Sequence, residues 1–297
     1  MAIMRSSLYV PANNPKLIQK APSFPADIIT FDIEDAVPPQ RKDEARQMAV
    51  DNLAHGASGG SEVYVRINGW HTEWPNADIE AIVQPGLDGI TVPKVRDADD
   101  VKRTDWKLEE MEVRRGLPVG SIKMCVLLET AAGIINAREI VKASPRLVAC
   151  FFGAVDYCAD MRIRLTNEAS EQAYARTAVC IAERSAGLVA LDAPFPDYTN
   201  MEAFEKNTSD GVRMGFEGRM IIHPSQIEPA HRIYSPKDEE VEHARKVVKF
   251  FEEEGLAKGL ASVAMDGKMV DTPVYVNAQE VIARFEEIQA KEAGRTA

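Results

Sequence analysis

Short apolar runs recur along the chain, and most stop abruptly at a polar or charged residue. Ser7 to Val10, Asp27 to Ile33, Glu62 to Ile67, Gly89 to Val92, Lys123 to Leu128, Leu147 to Phe152, Leu188 to Leu191 and Arg219 to Ile222 each read as a strand. The runs are rich in Val, Ile, Leu and Phe and are bounded by turn residues, the pattern of strands buried on both faces. Segments compatible with helix lie between them. One opens at Asn14-Pro15, where a capping side chain precedes a proline. Others cover about 41–53, 134–143 (stopping before Pro145) and 168–186 (stopping at Gly187). Strands alternating with helices predict a parallel sheet with crossover helices, and eight such units predict an α/β fold closed as a (β/α)8 TIM barrel. An open doubly wound sheet is the alternative. No Gly-x-Gly-x-x-Gly follows the first strand, which weakens a dinucleotide-binding version of it.

The pattern changes at Ser235. Ser235, Pro236 and Asp238 fit an N-cap, a first helical position and an N3 acid, and the helix is expected to reach about Glu254 before Gly255. Asp266-Gly267 between two apolar triplets predicts a tight hairpin. Val274, Ala278, Val281, Ile282, Phe285 and Ile288 then form a helical apolar stripe. We therefore divide the chain into a barrel at 1–234 and a C-terminal helix, hairpin and helix at 235–297. The stripe follows a barrel that already has eight strands, so it calls for a partner surface, with a neighbouring subunit as a candidate.

Composition narrows the function. The chain has 297 residues, 45% of them hydrophobic, and a formal charge of −11. That charge argues against general nucleic-acid binding but permits a local basic pocket for an anionic cofactor. No apolar run approaches the roughly 20 residues of a membrane-spanning helix, and no signal peptide is expected. Cys125, Cys150, Cys158 and Cys180 lack metal-ligand spacing and read as buried thiols of a cytoplasmic protein. The histidines show no His-Glu-x-x-His, which disfavours a zinc hydrolase.

In a (β/α)8 barrel, chemistry sits at the carboxyl ends of the strands. Those ends carry Glu34, Asp35, Arg66, Lys94, Glu129, Asp156 and His223. Glu129 and Asp156 follow successive strands. Two carboxylates with room for water and substrate oxygens suit Mg2+, and a divalent ion can hold a 2-keto acid by its keto and carboxylate oxygens. Salt bridging or helix capping is the alternative role. Arg66 is placed to stabilise an enolate oxygen or to form a structural ion pair. Glu34 and Asp35 read as acids holding metal-bound waters or Arg66, or as solvated strand ends. Lys94 reads more readily as a barrel ion pair than as a catalyst, and His223 as a structural hydrogen-bonding residue.

Several motifs together resemble one family. Arg5-Ser6-Ser7-Leu8-Tyr9-Val10-Pro11-Ala12-Asn13-Asn14-Pro15, Phe31-Asp32-Ile33-Glu34-Asp35-Ala36-Val37, Val65-Arg66-Ile67-Asn68-Gly69, Val92-Pro93-Lys94, Glu129-Thr130-Ala131, Gly153-Ala154-Val155-Asp156-Tyr157 and Asp266-Gly267-Lys268-Met269-Val270-Asp271-Thr272-Pro273 occur in order over nearly the whole chain. Each is weak alone. As a set they resemble the citrate lyase β-subunit-like and malyl-CoA lyase proteins of the HpcH/HpaI aldolase group. The resemblance implies a (β/α)8 barrel, Mg2+ at Glu129 and Asp156, and catalytic Arg66. It also implies that the C-terminal extension is a lid presenting catalytic Asp271 to an adjacent subunit of a homotrimer or hexamer. The implied reaction is cleavage of a 3-hydroxyacyl-CoA of the malyl-, citramalyl- or citryl-CoA class to acetyl-CoA and a 2-keto acid. Lys16, near the end of the first strand, is a candidate contact for CoA phosphates, with a solvated helix lysine as its alternative. Arg5 is a candidate pocket or cofactor contact, or a structural ion pair.

Two departures bear on carrier and keto-acid specificity: His223, where citrate lyase subunits often have Asn, and the proline-rich Ala193-Pro194-Phe195-Pro196-Asp197. A stand-alone CoA-ester lyase is the first reading. A subunit acting on citryl-acyl carrier protein and a malyl-CoA thioesterase follow. Arg66, Glu129, Asp156 and Asp271 together argue against a non-catalytic assembly protein.

Overall fold

The computed structural model describes residues 3–296. Eight parallel strands close into a barrel in sequence order: β1 (Ser6–Pro11), β2 (Ile28–Asp32), β3 (Glu62–Arg66), β4 (Gly89–Val92), β5 (Lys123–Leu128), β6 (Leu147–Phe152), β7 (Val189–Asp192) and β8 (Gly218–Ile221). Pairing of β1 with β8, Ser6 opposite Arg219, closes the ring. The predicted TIM barrel and its eight strands are thus present. Side chains of the barrel interior include Tyr9, Tyr64, Cys125, Leu127, Phe151, Leu191 and Met220. Helices cover the outside, so both strand faces are buried, which explains runs with little polar alternation. All four cysteines are free and buried.

Helix boundaries depart from the sequence pattern where loop contacts intervene. The segment expected over 168–186 becomes helical at Ala173–Ser185, after a short 3-10 turn. Before it, Glu171 accepts the Thr166 N–H and hydroxyl, and Ala169 takes a positive φ of 54°. The segment expected over 134–143 is two short helices, Ala131–Ile135 and Ala137–Ile140, meeting at Asn136, whose amide donates to the Arg96 carbonyl.

The chain separates into two compact units, one ending at Ile233 and one starting at Tyr234. In the second, a helix at Asp238–Phe250 runs into a π turn at Phe251–Gly255. It starts later than the Ser235 signal suggests, because Glu240 reaches back to accept the Lys237 N–H at 2.8 Å. β9 (Ser262–Met265) and β10 (Lys268–Asp271) form the hairpin. Asp266 and Gly267 have φ of 51° and 75°, both in the left-handed region that such two-residue turns require. The final helix is Thr272–Thr296. Ala278 packs with Ala244, Val247, Phe251 and Val270, joined by Val281 and Ile282. Val274 is exposed, so the apolar stripe is buried only from its second turn. Among the described residues no helix is long and apolar enough to cross a membrane.

Candidate active site

Strand periodicity carries the site's side chains inward. Successive residues of a strand face opposite sides, so Glu129 continues the row of Cys125 and Leu127, and Arg66 continues from Tyr64. Asp32 and Arg66, the last residues of β2 and β3, stand in register. Arg66 donates from Nε to Asp32 Oδ1 at 2.8 Å and from Nη2 to Asp32 Oδ2 at 2.6 Å. Its Nη1 lies 3.3 Å from Glu34 Oε2, and the guanidinium sits 5.1 Å above the Tyr9 ring. Burial alone pushes its pKa down, but Asp32 and Glu34 more than reverse this and hold it well above its ordinary value. The fork therefore stays charged and fixed.

Lys94 follows β4 and touches several acids. Its Nζ donates to Glu34 Oε1 at 2.6 Å and to both Asp35 oxygens at 3.0 Å, and stands 3.6 Å from Asp156 Oδ1. Its backbone N–H donates to Glu129 Oε1 at 2.8 Å. Burial pulls the ammonium down in pKa, but the bonds to Glu34 and Asp35 raise it overall. Burial raises the Glu34 pKa despite Arg66 and Lys94. Asp35, more open, is also pushed up by burial, but the Lys94 bonds leave it below the usual carboxylate range.

Glu129 is 2% exposed and immediately follows β5. Burial, then the nearby Asp156 carboxylate, push its pKa to about 8. A Cβ at Gly153 would stand 2.3 Å from Glu129 Oε2, so glycine there leaves space for this carboxylate. Asp156 is not at a strand end as the sequence suggested. It lies in the first turn of the helix Ala154–Met161, after β6. A cavity of about 270 Å3 is lined by Glu129, Asp156, Lys94, His71, Thr130 and Asp160, among others.

Five acids, Asp32, Glu34, Asp35, Glu129 and Asp156, gather around Arg66 and Lys94 at this mouth, with Lys42 close to Asp32, Glu34 and Asp35 and Arg96 lining the cavity. Burial is the first cause of the raised Glu129 pKa, and the neighbouring Asp156 charge adds to it. A hard divalent cation fits the donor set, because the donors are carboxylate oxygens beside a cavity with room for water and substrate oxygens. Among the described residues no three His, Cys, Asp or Glu side chains stand together to hold a metal unaided. The fit is therefore a two-carboxylate one.

The other candidates separate by direction along the barrel. Lys16 is exposed in the first turn of the helix Pro15–Lys20, just past the C-terminal end of β1 and so on the same mouth as Arg66. Arg5 precedes β1 and belongs to the opposite mouth. It is 1% exposed and bonds Asp27 through its backbone N–H, Nε and Nη2 at 2.8, 3.0 and 3.2 Å. The expectation of a pocket or cofactor contact is corrected: Arg5 is a structural ion pair. His223 bonds Ser225 Oγ at 2.7 Å and stacks on Tyr198. Asp271 belongs to the second unit, where it accepts the Val274 N–H at 3.2 Å. Asp32, which fixes the Arg66 guanidinium, is not among the candidates read from the sequence. Its signal was a carboxylate closing an apolar strand two positions before Glu34, on the same strand face.

A family profile described as HpcH/HpaI aldolase/citrate lyase matches residues 5–224. The citrate lyase subunit beta of Leuconostoc mesenteroides subsp. cremoris is 37% identical over 280 residues, 94% of this chain and 92% of that one. The (3S)-malyl-CoA thioesterase of Cereibacter sphaeroides (strain KD131 / KCTC 12085) is 33% identical over 287 residues, 96% of either chain. The structure of CitE from Mycobacterium tuberculosis in complex with magnesium, acetoacetate and coenzyme A matches at a TM-score of 0.77 and 28% identity, over 96% of this chain and 99% of that one. The chain belongs to the HpcH/HpaI aldolase/citrate lyase family of enzymes.

Proposed function

We propose that the protein is a Mg2+-dependent carbon–carbon lyase. It cleaves a 3-hydroxyacyl-CoA of the malyl-, citramalyl- or citryl-CoA class into acetyl-CoA and a 2-keto acid by retro-Claisen/aldol-type chemistry. The observation that carries this reading is the surplus of acids beside a fixed guanidinium: Glu129 and Asp156 line one cavity, with Arg66 locked by Asp32 nearby. Magnesium and coenzyme A in the Mycobacterium tuberculosis relative support it.

Glu129 and Asp156 would hold the metal, which when bound supplies Lewis-acid polarisation of the keto-acid carbonyl. The substrate hydroxyl passes its proton to a carboxylate of this mouth and becomes the keto oxygen, the C2–C3 bond breaks, and that bond's electron pair moves into the thioester enolate. Arg66 meets the enolate oxygen with N–H groups whose direction Asp32 has already set, so little reorganisation accompanies charge development. Asp271 of an adjacent subunit returns a proton to the enolate carbon, giving acetyl-CoA. Lys16 contacts the CoA phosphates. The family resemblance implies a homotrimer or hexamer, in which Asp271 would complete a neighbour's site.

Two variants of the reading have specific support. The 37% identity to a citrate lyase subunit beta favours a subunit acting on citryl-acyl carrier protein, and the 33% identity to a malyl-CoA thioesterase favours hydrolysis. One mass-spectrometric screen separates them. The purified chain is incubated with malyl-, citramalyl- and citryl-CoA and with citryl-acyl carrier protein, with Mg2+ or with EDTA. The lyase releases acetyl-CoA and a keto acid only with Mg2+. Free hydroxy acid with CoA marks a thioesterase, and turnover of the carrier-protein ester alone marks the subunit. No product from any substrate would leave a non-catalytic role.

A further inference from the structure

Lys94 holds a φ of 52°, in the left-handed region. A side chain there is strained relative to the right-handed form, and glycine would avoid the strain. The conformation achieves two things together. It turns the backbone N–H onto Glu129 Oε1, and it sends the ammonium among Glu34, Asp35 and Asp156. Three acids, two from the segment after β2 and one from the helix after β6, thus converge on one cation, while Glu129 is fixed by the same residue's main chain.

We propose that Lys94 sets the metal selectivity of the site, an inference that rests on the metal reading of Glu129 and Asp156 above. By tying Glu34 and Asp35 to its ammonium, Lys94 limits the protein's contribution to two carboxylates. Mg2+ accepts that arrangement, because it is small, keeps several waters and binds through one or two carboxylates. Ca2+ takes six to eight oxygens in a looser sphere and gains from every further carboxylate that can turn toward it. Loss of the ammonium removes a positive charge 3.6 Å from Asp156, which favours either cation. It also releases Asp35 and the Oε1 of Glu34, whose Oε2 stays 3.3 Å from Arg66 Nη1, and the freed oxygens favour Ca2+ more.

The test is calorimetric titration of Mg2+ and of Ca2+ into the wild-type chain and into Lys94→Met, Lys94→Gly and Lys94→Arg, with the thermal midpoint of each. Lys94→Met is expected to shift the Ca2+/Mg2+ affinity ratio toward Ca2+ by about tenfold or more. Lys94→Gly, which relieves the backbone strain as well, is expected to shift it in the same direction. Lys94→Arg keeps the charge and is expected to restore most of the wild-type ratio. A purely structural lysine would lower the midpoint and weaken both metals alike, leaving the ratio unmoved, and that result overturns the proposal. A wild-type chain that binds Mg2+ with an unmoved ratio in Lys94→Met and Lys94→Gly refutes the role of Lys94 alone. A wild-type chain that binds neither metal refutes the two-carboxylate site itself, and this inference with it.

Discussion

At the N-terminal mouth of the barrel, Arg5 spends three N–H groups on Asp27, and Arg146 bonds both oxygens of Glu112 at 2.7 and 2.6 Å. Burial raises the Glu112 pKa, but Arg146 and the Ile122 and Gly120 N–H groups leave it below the usual range. At the C-terminal mouth, Arg66 and Lys94 face five acids, and Glu129 is pushed up to about 8. The residue types are the same; the ratio of charges differs. Arg146 also bonds Asp105, so each of these three acids is held by a guanidinium, and the N-terminal mouth serves stability. Unmatched acids beside a cavity attract an incoming cation, so the C-terminal mouth can serve chemistry.

The sharpest way to break the comparison is to open a closed pair. Arg5→Met takes the guanidinium from the buried Asp27 carboxylate, which keeps His231 Nε2 at 3.8 Å, and up to about 3–5 kcal/mol of stability is expected to be lost in urea unfolding. Mg2+ affinity of the folded fraction is expected to stay unchanged. Reduced metal affinity at unchanged stability would mean that the two mouths are not separate in function.

Arg66→Lys acts on the other side. The ammonium cannot reproduce the fork held by Asp32, and turnover is expected to fall by about 10²–10³. Steady-state kinetics on the substrate found in the screen should show the loss in kcat rather than KM. Near-normal kcat would remove Arg66 from the enolate role.

The raised Glu129 pKa gives a smaller, graded effect. Below about pH 8 its carboxyl holds a proton that Mg2+ must displace. Apparent Mg2+ affinity should therefore climb by up to about tenfold per pH unit as pH rises toward that value, then level off. Calorimetry in two buffers of different ionisation enthalpy reads the released proton. A pH-independent affinity with no proton release would contradict the raised pKa of Glu129 or its place in the metal site.

Subunit mixing tests the proposed sharing of sites. Asp271→Asn and Arg66→Ala proteins are each expected to be inactive. After exchange, some sites would combine an intact barrel with an intact Asp271, and activity should partly return. Proven mixed oligomers without recovery would place Asp271 within its own chain's site, or outside the reaction.

Much of this was legible in the residues. Cys125, Leu127 and Glu129 lie on one face of a strand by simple alternation, so the carboxylate's inward aim could be read directly. Arg5 shows the opposite case. Its motif resembles that of a ligand-binding opening, yet it precedes its strand, and in a parallel barrel that places it at the mouth away from the chemistry. Asp156 lies in the first turn of a helix and not at a strand end, because the Gly153 turn from strand to helix is short. The conformation of Lys94 left no trace in the apolar pattern, since it depends on Glu129, Glu34 and Asp35 arriving from other strands.

The central claim is that the unmatched acids of the C-terminal mouth form a metal seat. Titration of Mg2+ into the metal-free wild-type chain and into a Glu129→Gln, Asp156→Asn double variant tests it most directly. Binding of Mg2+ by the wild type, and none by a folded double variant of unchanged thermal midpoint, is the predicted result. Equal Mg2+ binding by the two proteins, or none by the wild type, would contradict it.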